Sequence, residues 1–313
     1  MSSNSSPPSA RPSGAAPSIP PQEWTVGGLV KWATDDFKAR GMSSPRLDAE
    51  LIVGHITGLT RTQMIMNHER PLAAAELAEI RALVKRRRNH EPIAYLRGVR
   101  EFYGREFKVD SRVLVPRPET EHLVDVSLRR TERLALGMRA MDLCTGSGCI
   151  AVSLAKERPT ARMLGVDISE GALAVAKDNA ARLGAYNAAF LQSDLFVSLA
   201  DNERGNFDLI ASNPPYIESA EVLTLDSDVR DHEPHLALDG GASGYMYYKR
   251  IVAEAPAWLA PGGVLAFEVG AGQAPCVAEW MQSAGFLELQ IERDLARIER
   301  VVSGLWPGSG ASA

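Results

Sequence analysis

From Thr25 onward, apolar side chains recur at helical spacing: Val26, Leu29, Val30, Ala33 and Phe37, behind Thr25 as an N-cap and ahead of Gly41 as a stop. A second helix is predicted from Pro45 through Leu47, Leu51, Ile52 and Ile56 to Gly58. A short third covers Thr62 to Asn67, and a fourth covers Ala73 to Asn89. Glu91-Pro92 ends the fourth, because the residue before proline is pushed out of the helical region. Between Phe102 and Val115 the period shortens to β-favouring alternation, broken at Gly104 and Asp110-Ser111, which reads as a hairpin.

Beyond the hairpin the pattern changes again. Ala140 to Leu143, Arg162 to Val166, Ala188 to Leu191, Phe207 to Ser212 and Gly263 to Val269 are short apolar runs, separated by helical stretches such as Ile150 to Glu157 and Glu170 to Leu183. Strands alternating with helices predict an α/β fold with a doubly wound, Rossmann-like parallel sheet, carrying a small N-terminal all-helical domain joined to it by a β-hairpin. The organisation expected is a disordered tail over 1–22, a helical domain over 23–92, a hairpin linker over 93–115, the α/β domain over 116–306 and a tail over 307–313. Residues 1–22 are almost all Ser, Pro, Ala, Gly and Asn, which bury too little surface to offset the entropy of ordering.

Composition narrows the class of function. The 313 residues, 45% of them hydrophobic, supply two cores. A formal charge of -5 argues against sequence-independent attraction to nucleic acid, so no stable nucleic-acid binding is expected. The three cysteines, Cys144, Cys149 and Cys276, have neither paired spacing nor a secretory context, which predicts reduced thiols and no metal site. No apolar run reaches the roughly 20 residues of a membrane span, and Met1 to Pro21 has no export signal, so a cytoplasmic monomer is expected.

Two turns at predicted strand ends carry the chemistry. Ala140 to Leu143 runs straight into Cys144-Thr145-Gly146-Ser147-Gly148 and then a helix, and glycines there let backbone approach a ligand at the carboxyl end of the first strand. A dinucleotide fingerprint would need a third glycine, but Ala151 occupies that position. Asp167 ends the next strand, where a carboxylate accepts hydrogen bonds from ribose hydroxyls, and Asp194 and Leu195 follow the strand after it, placed for the amino group and face of an adenine. Asp194 reads equally as a helix cap.

The most specific motif is Asn213-Pro214-Pro215-Tyr216, directly after the apolar strand Phe207 to Ser212. Asn-Pro and Pro-Pro are ordinary turn formers. Their place beside a nucleotide pocket, between an amide and a phenol, points further. An amide or aromatic NH2 is a poor nucleophile, because its nitrogen lone pair is delocalised. The Asn213 side-chain oxygen and the Pro214 carbonyl can accept its two N–H bonds and turn the nitrogen toward an electrophilic methyl for in-line displacement. The prolines pre-set the backbone, Tyr216 packs on the planar group, and acceptors fixed in advance stabilise charge developing on nitrogen.

These residues resemble a known family. Asp142-Leu143-Cys144-Thr145-Gly146-Ser147-Gly148, Asp167 and Asn213 to Tyr216 look like the class I methyltransferase signature of the protein-glutamine N5-methyltransferases. Further matches are Pro116-Arg117-Pro118-Glu119-Thr120-Glu121, Glu233-Pro234-His235-Leu236-Ala237-Leu238, Asp294-Leu295 and Arg300 to Gly304, so the resemblance spans about Thr25 to Leu305. It is greatest to the branch acting on peptide chain release factors in translation termination. It implies that S-adenosylmethionine is the methyl donor and S-adenosylhomocysteine the product. It implies that Cys144, Thr145, Gly146, Ser147, Gly148, Asp167, Asp194, Leu195 and Asn213 hold the donor. Asn213, Pro214, Pro215, Tyr216 and Glu119 then hold the glutamine of a Gly-Gly-Gln motif, with Asn213, Pro214 and Tyr216 catalytic. Two positions depart from the family: Cys144 and Arg297 stand where glycine is usual. The Cys-Thr-Gly-Ser-Gly-Cys turn is also similar to the branch that methylates a large-subunit ribosomal protein. An adenine N6 methyltransferase, whose substrate is another planar NH2, is the rival from a different class. The basic run Lys85 to Arg88 reads as the solvated end of the fourth helix rather than an RNA surface. A Rossmann-like module with a degenerate site would lack the intact Asn213 to Tyr216 loop.

Overall fold

The computed structural model describes residues 24–134 and 137–308, and the expected tails fall outside them except for Pro307 and Gly308. The chain divides into two compact units, Met1–Val84 and Lys85–Ala313.

The helical unit contains α1 (Val26–Ala39), α2 (Pro45–Thr57), α3 (Arg61–Met66) and most of α4 (Ala74–Arg88). The Thr25 hydroxyl caps α1 by accepting from the Gly28 amide at 3.1 Å, and Gly58 ends α2 in a left-handed conformation. A capping box between Thr60 and Gln63 starts α3. Of the predicted stripe of α1, Val26, Leu29, Ala33 and Phe37 are buried and Val30 is half-buried; Ile52 and Val53 of α2, Met64 of α3, and Ile80 and Val84 of α4 are buried as well. Buried Glu50 is held from both sides, by Arg46 at 2.8 Å and Arg61 at 2.6 Å.

In the second unit, a one-and-a-half-turn helix α5 (Ile93–Arg97) follows Pro92, too short for periodicity to disclose. It leads into β1 (Val99–Phe102) and β2 (Arg105–Lys108), an antiparallel hairpin that turns at Tyr103-Gly104. The expected hairpin was displaced toward the C-terminus: Val109, Val113 and Val115 are not paired strand but pack with Ala94, Tyr95, Ala172 and Val175. After α6 (Thr120–Arg130), the chain alternates β3 (Arg139–Leu143), α7 (Cys149–Glu157), β4 (Arg162–Asp167), α8 (Glu170–Leu183), β5 (Ala188–Gln192) and β6 (Phe207–Ser212). The short helices α9 (Ser219–Val222) and α10 (Ser227–Arg230) precede α11 (Met246–Glu254), β7 (Leu259–Glu268), α12 (Ala274–Ser283), β8 (Leu287–Arg293) and β9 (Glu299–Leu305).

The seven strands pair in the order β5-β4-β3-β6-β7-β9-β8. The first five in that order are parallel, as the alternation predicted; β9 runs antiparallel to both of its neighbours, β7 and β8, so the sheet is mixed. Successive residues face opposite layers. Ala140, Leu209, Val264 and Val301 join α6 and α7 in one core, while their neighbours Met141, Ile210, Leu265 and Val302 join α11 and α12 in the other. The strand order reverses between β3 and β6, whose register pairs Leu143 with Ser212. Both motif turns therefore leave the sheet side by side, at the switch point where open α/β sheets bind ligands.

Candidate active site

The glycine turn is built on a buried carboxylate. Asp142 accepts from the Thr145 hydroxyl at 2.6 Å and the Ala151 amide at 3.1 Å, while its other oxygen has no partner. Burial pushes its carboxyl up to about 7, against the pull of those two donors. The Gly146 amide reaches across to Asp167 Oδ2 at 2.9 Å, and the Ser169 amide donates to Asp167 Oδ1 at 2.9 Å. Burial raises the Asp167 carboxyl and these amides oppose the rise. Each oxygen keeps a further lone pair for a ligand hydroxyl.

A cleft opens at the switch point, where open α/β sheets bind ligands. Of the sequence-predicted residues, Cys144, Gly146, Asp167, Asp194, Leu195, Asn213 and Pro215 line it. Thr145, Ser147 and Gly148 lie behind its wall, where Thr145 and Ser147 are buried and Gly148, with φ 79°, starts α7. Asp194 is ion-paired to Arg250 at 3.0 Å, so one of its oxygens is already engaged. Exposed Glu119, buried Pro214 and half-buried Tyr216 are not among the lining residues.

Both departures from glycine fall on left-handed backbone: Cys144 has φ 59° and Arg297 φ 63°. A residue with a Cβ is strained there, which is the physical reason for glycine at these positions. Burial pushes the Cys144 thiol well above its ordinary value, so it is a packed wall rather than a nucleophile.

The Asn213 loop is held from three sides. Ile217 donates to Leu238 O at 3.1 Å, Gly240 donates to Ile217 O at 2.8 Å, and Gln273 Nε2 donates to Tyr216 O at 3.1 Å. Gly240 and Gly244 are required by close approach: a Cβ on either would come within 2.7 Å and 2.5 Å of Tyr216 backbone. Tyr216 is half-buried and its phenol is raised to about 12 by burial. The Asn213 amide nitrogen donates to Thr120 Oγ1 at 3.2 Å, which leaves its Oδ1 as the acceptor for the cleft. Buried Glu233 accepts from Arg117 at 2.7 Å and from the Val115 amide at 3.3 Å, joining the stretch before α6 to the stretch after α10.

Sequence reasoning did not single out Arg112, Val113, Leu114 or Tyr247, which also line the cleft. Thr120 entered only within the Pro116 to Glu121 match, with no role, and Gln273, which like Thr120 holds the loop by a hydrogen bond, and Glu268 were not found. The glycine cluster at 240, 241 and 244 was a usable signal, since closely spaced glycines mark backbone crowding.

The fold, the switch-point cleft and the paired turns define a methyltransferase of the doubly wound class. A model described as "Methyltransferase domain" matches residues 135–293, and one described as "PrmC N-terminal domain" matches residues 28–98. The release factor glutamine methyltransferase of Geobacter sulfurreducens is 42% identical over 91% of this chain and 98% of its own length. That of Chlorobaculum tepidum is 41% identical over 90% and 97%. Among solved structures, the hMettl16 catalytic domain in complex with MAT2A 3'UTR hairpin 6 shares the fold with a TM-score of 0.54, at 13% identity, covering 77% of this chain and 84% of that one. The chain belongs to the release factor glutamine methyltransferase family.

Proposed function

We propose that the protein transfers a methyl group from S-adenosylmethionine to the side-chain amide nitrogen of the glutamine in the Gly-Gly-Gln motif of translation release factors. One observation carries the amide reading: Asn213, in the wall of the cleft, commits an N–H of its side chain to Thr120, which leaves its oxygen as an acceptor for a ligand. An acceptor so fixed selects a substrate that brings a planar NH2.

The cleft fits the donor. The Asp167 carboxylate would accept from the ribose hydroxyls, Leu195 and Val166 would offer apolar faces to the adenine, and Gly146 would let backbone approach the ligand, all from the cleft wall. The donor supplies a methyl group on a sulfonium. Asn213 Oδ1 and the Pro214 carbonyl hold the two amide hydrogens, and Tyr216 packs beside the amide. The nitrogen is thereby aligned with the methyl without reorganisation at the moment of transfer. We assign the helical unit the task of gripping the protein that carries the glutamine, because methyl transfer itself engages residues after about Pro116. The site, we infer, works in a cytoplasmic monomer.

Incubation with labelled donor and, separately, a release factor, a large-subunit ribosomal protein and an RNA or DNA tests the reading. Label on the Gly-Gly-Gln glutamine alone is the expected result. Label on ribosomal protein or adenine, with none on the release factor, overturns it.

A further inference from the structure

We propose that Thr120 and Glu268 are positioning residues for the methyl transfer, joined in a hydrogen-bond chain that sets which way the Asn213 amide points. The inference rests on the amide-methylating reading above and deepens it.

Asn and its flipped form have the same shape, so packing alone cannot choose between them; a neighbour of fixed hydrogen-bond polarity must. That neighbour is Thr120, the first residue of α6, whose Oγ1 lies 3.2 Å from Asn213 Nδ2. A hydroxyl both donates and accepts, so Thr120 favours neither form until its own proton is committed. We place the commitment at Glu268, at the end of β7, a carboxylate buried beside the Thr120 side chain. Both residues are 2% exposed, so water does not compete for these positions. An ionised carboxylate accepts only. The Thr120 proton therefore goes to Glu268, its oxygen accepts from Asn213 Nδ2, and Asn213 Oδ1 is delivered to the cleft. Three elements far apart in sequence, at the start of α6 and the ends of β6 and β7, converge to define one acceptor.

Glu268 is otherwise an expensive group to keep. Its Oε2 is buried without a partner, and burial pushes its carboxyl up to about 7, opposed by the Thr120 hydroxyl and the charges of Arg300 and Arg117 and reinforced by Glu119. Tyr248 donates to its backbone carbonyl at 3.0 Å rather than to the carboxylate. Protonated Glu268 can donate, which frees Thr120 to present its proton to Asn213 and so favours the flipped amide. Turnover then carries an acid limb belonging to Glu268, with Arg117, Glu119, Cys149, Tyr216, Tyr248 and Arg300 as the other ionisable groups around it.

The test compares Thr120→Val, Thr120→Ser and Glu268→Gln using labelled donor and intact release factor, with kcat, KM and donor affinity measured separately. Labelling by the unaltered protein comes first: its absence refutes the amide-methylating reading before any variant is compared. Given that activity, Thr120→Val should lower kcat by on the order of 10- to 100-fold with donor affinity and KM little changed. Thr120→Ser should recover most of that loss, and Glu268→Gln should resemble Thr120→Val and lose the acid limb. Thr120→Val with kcat near that of the unaltered protein overturns the proposal. So does Thr120→Ser falling as far as Thr120→Val, or Glu268→Gln keeping full kcat and the acid limb.

Discussion

Asn179 of α8 and Lys108 at the end of β2 exchange two hydrogen bonds, Lys108 N to Asn179 Oδ1 at 2.7 Å and Asn179 Nδ2 to Lys108 O at 3.0 Å. The same Nδ2 donates to Ser147 O at 2.9 Å, so one fully buried amide ties the hairpin to the glycine turn. Asn179→Leu keeps the volume but leaves three backbone groups without their partner. A loss of about 2 to 4 kcal/mol is expected, together with weaker donor binding as the turn slackens. Urea denaturation and donor calorimetry measure both; stability within about 0.5 kcal/mol of the unaltered protein would show that water replaces the amide.

The buried acids give stability a definite dependence on pH. Folded Asp142 keeps its proton up to about 7, whereas an ordinary aspartate loses it near 3.8. Between those values the folded state binds more protons than the unfolded one, so stability falls as pH rises through that window. Glu268, also raised to about 7, adds to the same slope. Asp142→Asn mimics the protonated form and removes one contribution, roughly 4 kcal/mol at full extent. Denaturation at pH 5 and pH 8 should show a smaller drop in the variant. An equal drop in both proteins would mean that Asp142 ionises freely in the fold.

What the sequence disclosed and what it hid divide along physical lines. Periodicity found α1, β6 and α8 nearly residue for residue, because each repeats its signal over several turns or a fully buried run. It missed α5, five residues long, and β8, a largely exposed strand whose pairing with β9 is a tertiary fact. The site followed the same rule. Asn213 and Asp167 were legible because their chemistry sits in a local motif. Thr120 and Glu268 were not, since their relation to Asn213 exists only once β3, β6 and β7 lie side by side. Cys144 and Arg297, noticed only as departures from glycine, acquire a cause in their left-handed backbone.

Asp167 is the residue on which donor binding should depend most. Its two oxygens are anchored by Gly146 and Ser169 amides, which fixes the carboxylate while leaving lone pairs for ribose hydroxyls. Asp167→Ala removes a charge-assisted acceptor and releases both turns, an expected loss of about 1.5 to 3 kcal/mol in donor affinity. Calorimetry with S-adenosylhomocysteine reads this directly. Unchanged affinity would take Asp167 out of the donor site.

Asn213 tests the mechanism itself. Asn213→Ala removes the acceptor aimed at the reacting nitrogen and should lower turnover by roughly 100-fold or more, with donor affinity retained. Asn213→Asp is the sharper probe, because the geometry at Thr120 gives its two oxygens different fates. The oxygen facing the cleft still accepts an amide hydrogen. The oxygen replacing Nδ2 can no longer donate to Thr120 Oγ1, 3.2 Å away, and the lone hydroxyl proton is then contested by two carboxylates. The aspartate should therefore be impaired but exceed the alanine, since it keeps an acceptor and has lost the device that orients it. Adding Thr120→Val to Asn213→Asp should cost little more, because the contact is already broken. Initial rates with saturating donor and glutamine peptide decide the matter. Near-normal turnover in Asn213→Ala would reduce the Asn-Pro-Pro-Tyr loop to a structural turn, and the amide-orienting mechanism would fall with it.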